Sequence, residues 1–256
     1  MIATTMYRHF KEVAGIYNEV RTTDEAPVRF IAERLQGISP LRGADVGCGG
    51  GRYDLLLYRH LPGLSLLGVD INPAMLKEAE TYLRSHGVEN FTTQCAGVED
   101  MALPGGLDVV LTFNAIHHFP LALFLEKAAG ALKEGGRLFI YTRTPEQNAR
   151  TLYGRYFPGF AEKETRLYPE EALEEAIAAT PGLALLGTKT FRYAREASLE
   201  RVLEKVKSRH YSTFSLYDEG DFQRALAAFE ARLLADFPDR TITWTDENLL
   251  LEAERD

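Results

Sequence analysis

Four glycines lie within five consecutive residues, from Gly47 to Gly51, and their spacing indicates a ligand-binding turn. They follow a short apolar run, Ala44–Val46, and precede an amphipathic stretch that begins at Arg52. A strand is therefore expected to run through a tight turn into a helix. Glycines at positions 47, 49 and 51 permit the turn, let a ligand approach the backbone and allow close strand–helix packing. The start of such a helix offers unpaired N–H groups and a positive dipole end, which favour an anionic group.

Asp70 supplies the second chemical group of this pattern. It follows the apolar run Leu64–Val69, the next predicted strand, about twenty residues after the turn. A carboxylate at that place can accept hydrogen bonds from both hydroxyls of a ribose. The glycine turn and Asp70 together favour a ligand that contains a nucleoside.

The residues around the turn distinguish between nucleoside ligands. A dinucleotide-binding turn has the pattern G-x-G-x-x-G, and here Arg52 stands where the third glycine would be. Asp45, two residues before Gly47, would repel a pyrophosphate but could pair with an ammonium group. A zwitterionic amino-acid tail suits both Asp45 and the helix N-terminus. These features predict S-adenosylmethionine as the ligand and disfavour a nicotinamide-dependent oxidoreductase.

A parallel sheet is needed to bring these residues to one edge. From about residue 41 to residue 143, short apolar runs alternate with amphipathic stretches, which is typical of βαβ units. The predicted strands are Ala44–Val46, Leu64–Val69, Phe91–Cys95, Leu107–Phe113 and Arg137–Thr142, and the predicted helices are Arg52–His60, Asn72–Ser85 and Leu121–Lys133. In open α/β sheets, ligands bind at the carboxyl ends of the strands, where Asp45 and Asp70 are expected.

The remaining segments predict a lid on a single domain of residues 1–256. The core is expected at about 37–143, completed by 183–193 and 240–254, and the helical lid at 1–36 and about 145–237. Strand-like residues occur at both Arg240–Trp244 and Asn248–Glu254, which would allow a closing hairpin.

Composition restricts the class of protein further. The chain has 256 residues and a formal charge of −8, which argues against a general nucleic-acid binder, because such proteins neutralise phosphates. No apolar run approaches the roughly 18 residues that cross a bilayer. The two cysteines, Cys48 and Cys95, are too few for a disulfide framework or a four-ligand zinc site. We expect a soluble, cytoplasmic protein with no metal site.

Several motifs in order resemble the class I S-adenosylmethionine-dependent methyltransferases, of the small "type 11" kind that includes the quinone-methylating enzymes. The matching segments are Asp45–Gly51, Asp70–Leu76, Leu107–Phe119, Gly135–Leu138 and, near the N-terminus, Tyr17–Arg21. The resemblance extends over about residues 17–143. It implies an α/β, Rossmann-like fold with a seven-stranded, mostly parallel sheet and an antiparallel last strand.

The resemblance also implies a set of cofactor-binding residues. The N-terminal element would close over the cofactor, Asp70 would hold the ribose, Ile71 would pack on adenine, and Cys48 would contribute its backbone N–H. Gly97 departs from the family, which often has an acid there for adenine, so only the backbone at Gly97 and Val98 is expected to hold the ring. The complete set is Tyr17, Arg21, Asp45, Gly47, Cys48, Gly49, Asp70, Ile71, Gly97, Val98, Asn114 and Ala115.

Candidate residues for the methyl acceptor lie later in the chain. Arginines beside aromatic residues suit a planar or carboxylated acceptor, and Arg143, Tyr153, Arg155 and Arg209 are the candidates. His118, at the mouth of the fourth strand, is a weak candidate for a general base, since a loop-ordering role is favoured for it.

The predicted function is methyl transfer from S-adenosylmethionine to a small-molecule acceptor by in-line displacement. The acceptor, its reacting atom (O, N or C), the need for a base and the oligomeric state stay open. One alternative is a tRNA-nucleoside methyltransferase that uses the late arginines. The other is a non-catalytic S-adenosylmethionine-binding protein, because a shared fold does not prove turnover.

Overall fold

A seven-stranded sheet is the main layer of the structure, which is a computed structural model describing residues 23–256. The strands are β1 (Leu41–Val46), β2 (Leu64–Asp70), β3 (Phe91–Cys95), β4 (Leu107–Phe113), β5 (Leu132–Thr142), β6 (Leu183–Ser198) and β7 (Thr241–Arg255). Their order is β3-β2-β1-β4-β5-β7-β6. The first five pair in parallel and β7 is antiparallel to β5. The predicted fold class is confirmed.

Ten α-helices and two 3₁₀ turns connect the strands within the described residues. The helices are α1 (Ala26–Arg34), α2 (Arg52–His60), α3 (Pro73–Ser85), α4 (Leu121–Ala131), α5 (Pro145–Arg150), α6 (Leu152–Tyr156), α7 (Phe160–Lys163), α8 (Glu170–Ala179), α9 (Leu199–Lys207) and α10 (Glu219–Asp236); the 3₁₀ turns are Ile116–His118 and Ser212–Leu216.

Local sequence explains how β4 and α3 form. All seven residues of β4 are buried, as expected for a parallel strand that is covered on both faces. Helix α3 begins where the Asn72 side chain accepts a hydrogen bond from the Ala74 N–H at 2.9 Å, with Pro73 at its first position. Both features stabilise a helix N-terminus.

The ends of two elements differ from the sequence prediction. Strand β5 begins at Leu132 rather than Arg137, because its pairing with β4 shifts register between Leu107 and Val109 and accommodates extra residues. Strand β7 runs continuously from Thr241 to Arg255, so the prediction of a closing hairpin is wrong.

The chain divides into two units. The sheet unit contains the described residues up to Thr142 together with Glu170–Lys189 and Leu249–Asp256, and the second unit contains Arg143–Pro169 and Thr190–Asn248. Helices α1 and α8 therefore belong to the sheet unit, whereas we assigned both to the lid. The physical reason is burial, since Ile31 of α1 and Leu173 of α8 are fully covered. Residues 190–193 and 240–248, which we assigned to the core, belong to the second unit.

Aromatic side chains form the core of the second unit. The ring of Phe157 contacts those of Phe214, Tyr217 and Phe229, with centroids 5.1–5.4 Å apart. Such contacts add about 0.5–1.5 kcal/mol each beyond the burial of area. The buried members of this aromatic cluster are Leu152, Tyr153, Phe157, Phe160, Leu199, Val202, Leu203, Val206, Phe214, Tyr217, Phe222, Ala225, Leu226, Phe229, Leu233 and Ile242.

Thr144 caps helix α5 and is the basis of a stability prediction. Its hydroxyl accepts a hydrogen bond from the Gln147 N–H at 3.3 Å, and the Gln147 side chain accepts one from the Thr144 N–H at 3.0 Å. We expect Thr144→Ala to lower the free energy of unfolding by about 1 kcal/mol, because both halves of this capping box are weakened. Urea denaturation of Thr144→Ala and of Thr144→Ser, which keeps the hydroxyl, checks this. An equal loss in both variants would contradict the capping role.

Candidate functional site

The glycine turn after β1 has the left-handed backbone that its sequence predicts. Gly47, Gly49 and Gly51 have φ angles of 78°, 55° and 77°. The Gly47 N–H donates to the carbonyl of Val69 at 2.7 Å, which ties the turn to the end of β2. A Cβ atom on Gly47 would lie 2.4 Å from the Cβ of Ala115. Only a glycine at position 47 therefore allows the loop after β4 to pack against this turn.

Asp70 is oriented by two backbone donors at the carboxyl end of β2. The Gly49 N–H donates to its Oδ2 at 3.0 Å, and the Asn72 N–H donates to its Oδ1 at 2.8 Å. Burial raises the pKa of Asp70, and these N–H groups oppose that rise. A carboxylate has about four acceptor positions, so each oxygen can accept a further hydrogen bond. The structure thus places the Asp70 carboxylate against the glycine turn.

Asp45 is a buried carboxyl at the end of β1, which lies between β2 and β4. Its side chain is 1% exposed, and no donor among the described residues reaches its Oδ1. Burial raises its pKa well above the usual range, and the neighbouring Asp54 raises it further. An unpaired buried acid of this kind is stabilised by a cation. The Asp70 carboxylate, as an acceptor, fits the ribose hydroxyls of S-adenosylmethionine, and the Asp45 carboxyl fits its ammonium group.

Sequence reasoning missed Asp54, which lies in the first turn of α2. It is fully buried, and neither of its carboxyl oxygens has a hydrogen-bond donor among the described residues. A signal was present, because Asp54 precedes the buried Leu57 by three residues and so shares its helix face.

An exposed apolar surface lies beside Asp70. The Ile71 side chain is 61% exposed, which is unusual for a large apolar residue in this structure. A Cβ atom on Gly97 would lie 3.5 Å from the Cδ1 of Ile71 and 3.0 Å from the Oε2 of Glu99. The Glu99 carboxylate thus lies close to the place that a side chain at position 97 would occupy. Sequence reasoning missed Glu99, although an acid two residues after the glycine was the available signal.

The loop after β4 brings Asn114, Ala115 and His118 to the same edge of the sheet. Asn114 has a φ of 54° and donates its N–H to the carbonyl of Tyr141 at 2.7 Å; asparagine is one of the few residues that tolerate this backbone. The His117 and His118 rings lie 3.9 Å apart between centroids. The role of His118 as a base stays a prediction.

Cys48 lies inside the turn with its thiol protonated. Burial raises the pKa of the thiol well above its usual value, and the nearby carboxylates of Asp54 and Asp70 add to the shift. A thiol of this kind is a poor nucleophile. The Cys48 N–H donates to the carbonyl of Val69 at 3.2 Å, and its contact with the cofactor stays a prediction.

The four acceptor candidates lie in the second unit, where two of them have structural roles that the sequence analysis did not predict. The Tyr153 ring is buried in the aromatic cluster and contacts His210 and Phe229. The guanidinium of Arg209 lies 4.1 Å from the centroid of the Phe222 ring and pairs with Glu219. These contacts give both side chains a packing role, and the acceptor assignment of both residues stays a prediction.

Arg143 and Arg155 differ in their surroundings. Arg143 donates from its Nε to the carbonyl of Glu247 at 3.1 Å and from its Nη2 to the Oδ1 of Asn248 at 3.3 Å. These bonds hold Arg143 against β7. Arg155 is exposed, and its guanidinium lies 5.5 Å from the centroid of the Tyr156 ring.

Three other findings concern the described residues alone. Residues 23–256 contain no group of three His, Cys, Asp or Glu side chains with metal-binding geometry. In the same range, no helix combines the length and the apolar character required to cross a bilayer. The predicted cofactor residues Tyr17 and Arg21 lie outside the part of the chain that the structure describes.

Known proteins resemble this chain in sequence and in fold. Residues 44–136 match a family described as "Methyltransferase domain". A ubiquinone biosynthesis O-methyltransferase of Xanthomonas euvesicatoria pv. vesicatoria is 34% identical over 152 residues, which are 56% of this chain and 59% of that protein. A trans-aconitate 2-methyltransferase of Rhodopseudomonas palustris is 34% identical over 115 residues, which are 44% of this chain and 43% of that protein. The chain thus spans less than two thirds of these curated relatives.

A solved structure shares the fold. It is a geranyl diphosphate C-methyltransferase from Streptomyces coelicolor A3(2), in complex with Mg²⁺, geranyl diphosphate and S-adenosyl-L-homocysteine. Its TM-score is 0.57 at 16% identity, covering 90% of this chain and 80% of that one. The matched segment, 44–136, contains the glycine turn, Asp45 and Asp70. Residues 44–136 of this chain thus match a methyltransferase domain, and the resemblance to the class I S-adenosylmethionine-dependent methyltransferases that the sequence predicts is confirmed.

Proposed function

We propose that this chain transfers the methyl group of S-adenosylmethionine to a small-molecule acceptor. The observation that carries the proposal is the presence of two acids, Asp70 and Asp45, beside the glycine turn. Asp70 is held by the Gly49 and Asn72 N–H groups, while the Asp45 carboxyl is buried with an Oδ1 that has no donor among residues 23–256. Asp70 thus suits the ribose hydroxyls and Asp45 suits the ammonium group of the methionine tail.

The residues of this chain act by binding and orientation. When bound, the cofactor supplies a methyl group that its sulfonium already activates for displacement. Asp70, Asp45 and the glycine turn fix the two ends of the cofactor, so that the methyl group points in one direction. Holding two reactants in line contributes about 7–11 kcal/mol to lowering a barrier of this kind.

The acceptor is proposed as a small molecule because the relatives act on such compounds. Their names specify an O-methyltransferase of ubiquinone biosynthesis, a methyltransferase of trans-aconitate and a C-methyltransferase of geranyl diphosphate. These three acceptors differ in chemical class, so a screen must include phenols, carboxylic acids and allylic diphosphates.

Two measurements test the proposed function. Thermal-shift titration should show stabilisation by S-adenosylmethionine and S-adenosylhomocysteine and none by NAD(P), because a ligand at about 100 times its dissociation constant adds about 2.7 kcal/mol. Transfer of a labelled methyl group to the acceptor panel should then detect turnover. Binding without transfer to any member would support the non-catalytic alternative, and stabilisation by NAD(P) alone would overturn the cofactor.

We further propose that Glu99 accepts a hydrogen bond from the 6-amino group of adenine. Its Oε2 lies 3.0 Å from the position of a Cβ on Gly97, next to the exposed Ile71. Ile71 then forms the apolar contact with the ring and Glu99 the polar one. The absence of a side chain at position 97 leaves room for this arrangement.

Replacing Glu99 with glutamine is expected to weaken the binding of S-adenosylhomocysteine about fivefold, since a solvent-exposed hydrogen bond contributes about 1 kcal/mol. Binding of the 6-oxo analogue, S-inosylhomocysteine, should not weaken, because that ligand has no 6-amino group to donate. Calorimetric titration of both ligands measures the two effects. Asp100→Asn, at the next and equally exposed acid, is the control and should leave both affinities unchanged. A uniform loss for both ligands would contradict the contact.

A further inference from the structure

Two buried acids flank the glycine turn, and the proposed function uses only one of them. Asp45 is the last residue but one of β1 and Asp54 is in the first turn of α2, and the two residues are 1% and 0% exposed. Their carboxyl groups lie within hydrogen-bonding range of each other. No other described donor reaches Oδ1 of Asp45 or either oxygen of Asp54. We call these two residues the Asp45–Asp54 carboxyl pair.

The contact within the pair requires a proton. Two ionised carboxylates have no hydrogen to share, and like charges this close cannot both persist in a buried site. Burial raises the pKa of Asp54 to about 7, and it raises the pKa of Asp45 well above its usual range, with the charge of Asp54 adding to the shift. The pair therefore carries at least one proton near neutral pH.

The groups that face the pair are acidic or neutral. Asp70 faces Asp45 from β2, the Cys48 thiol lies in the turn, and Tyr58 is one turn further along α2. Neither Asp45 nor Asp54 forms an ion pair with a described lysine, arginine or histidine. A cation that binds at Asp45 would therefore be the counter-ion of the pair, because no described basic side chain has that role.

We propose that Asp54 is a positioning residue that shares a proton with Asp45, and that cofactor binding fixes this pair in its singly protonated form. With the cofactor bound, the shared proton resides on Asp54, which donates it to Asp45, and the negative charge on Asp45 faces the ammonium group of the methionine tail. In the free, singly protonated pair the proton resides on Asp45, so binding moves it across the hydrogen bond to Asp54. Where the free pair holds two protons, one of them passes to the buffer on binding. This inference rests on the proposed function, because it requires the methionine tail beside Asp45.

The proposal gives cofactor affinity a defined pH dependence. Below the first ionisation of the pair, each bound ligand must displace one proton, so the dissociation constant falls about tenfold per pH unit as pH rises. Above that ionisation the pair already carries its charge and the affinity is constant. An α-amino group is half protonated at about pH 7.7–8.0, so up to pH 7.5 its own ionisation changes the affinity by less than about twofold. The range from pH 5.5 to 7.5 therefore reports on the protein.

Calorimetric titration of S-adenosylhomocysteine between pH 5.5 and 7.5 tests the linkage in the wild type and in Asp54→Asn. The asparagine amide is a permanent donor to Asp45 and carries no charge, so we expect the midpoint of the pH dependence to fall by at least one unit. Asp108→Asn is the matched control, since Asp108 is also buried but accepts from the Arg42 N–H and pairs with Lys133. Its midpoint should equal that of the wild type. A weaker affinity in Asp54→Asn with an unchanged midpoint would overturn the proposal.

A second measurement needs neither ligand nor variant. Carbon-13 resonances of the aspartate carboxyl groups in the free wild-type protein should include one that titrates near pH 7. If every aspartate carboxyl titrates below about pH 5, the shared proton does not exist and the inference fails. A protein that shows this titration but binds no S-adenosylhomocysteine would instead refute the proposed function and leave the pair in place.

Discussion

Replacing Asp70 with alanine is expected to weaken S-adenosylhomocysteine binding at least a hundredfold. The Asp70 carboxylate holds the turn through the Gly49 N–H and the Asn72 N–H, and it is proposed to accept both ribose hydroxyls. Hydrogen bonds to a charged group contribute about 1.5–3 kcal/mol each, so the loss of two corresponds to a factor of about 10² or more. Calorimetric titration at pH 7 measures the dissociation constant.

Glu89→Ala is the control for this experiment. Glu89 is an exposed acid just before β3, on the amino-terminal side of that strand, and its removal changes the net charge by the same amount. We expect its dissociation constant to match that of the wild type. A thermal melt without ligand verifies that Asp70→Ala is folded, and an unchanged affinity in a folded Asp70→Ala protein would refute the ribose assignment.

Gly47→Ala is expected to reduce the free energy of unfolding by about 2–5 kcal/mol and to abolish detectable cofactor binding. The backbone at position 47 has a φ of 78°, and adopting this left-handed conformation costs an alanine about 1–2 kcal/mol. The added Cβ would also lie 2.4 Å from the Cβ of Ala115 and 3.0 Å from the Cζ of Phe119, and overpacking of this kind costs about 1–3 kcal/mol. Urea denaturation and calorimetric titration measure the two effects.

Gly87→Ala separates the backbone cost from the steric one. Gly87 has a φ of 79°, and a Cβ there would meet no atom within 4 Å. Its loss of stability should therefore be limited to the backbone term, about 1 kcal/mol, and cofactor binding should be unaffected. If the two variants lost the same stability, the packing of the β4 loop against the turn would have no energetic importance.

Two acceptor candidates, Tyr153 and Arg209, make contacts that residue type alone did not predict. Tyr153 and Arg209 have the side chains that recognise planar or anionic ligands, yet the structure places Tyr153 among aromatic rings and Arg209 over the Phe222 ring. The same properties that suit a ligand, a flat apolar face and a delocalised charge, also suit a protein core and its rim.

The sequence by itself determined the cofactor turn and the sheet that carries it. Asp45, the glycines and Asp70 are linked by one strand–helix–strand unit, and the carboxyl ends of adjacent parallel strands meet at one edge, so local order was sufficient. The tertiary structure alone decided the contacts that depend on which side chains face each other. It placed Asp54 against Asp45, Glu99 in the space beside Gly97, and helix α8 with the sheet rather than the lid. The spacing of Asp54 from Leu57 indicates a shared helix face, but the contact between Asp54 and Asp45 arises from the packing of whole elements, which local spacing does not specify.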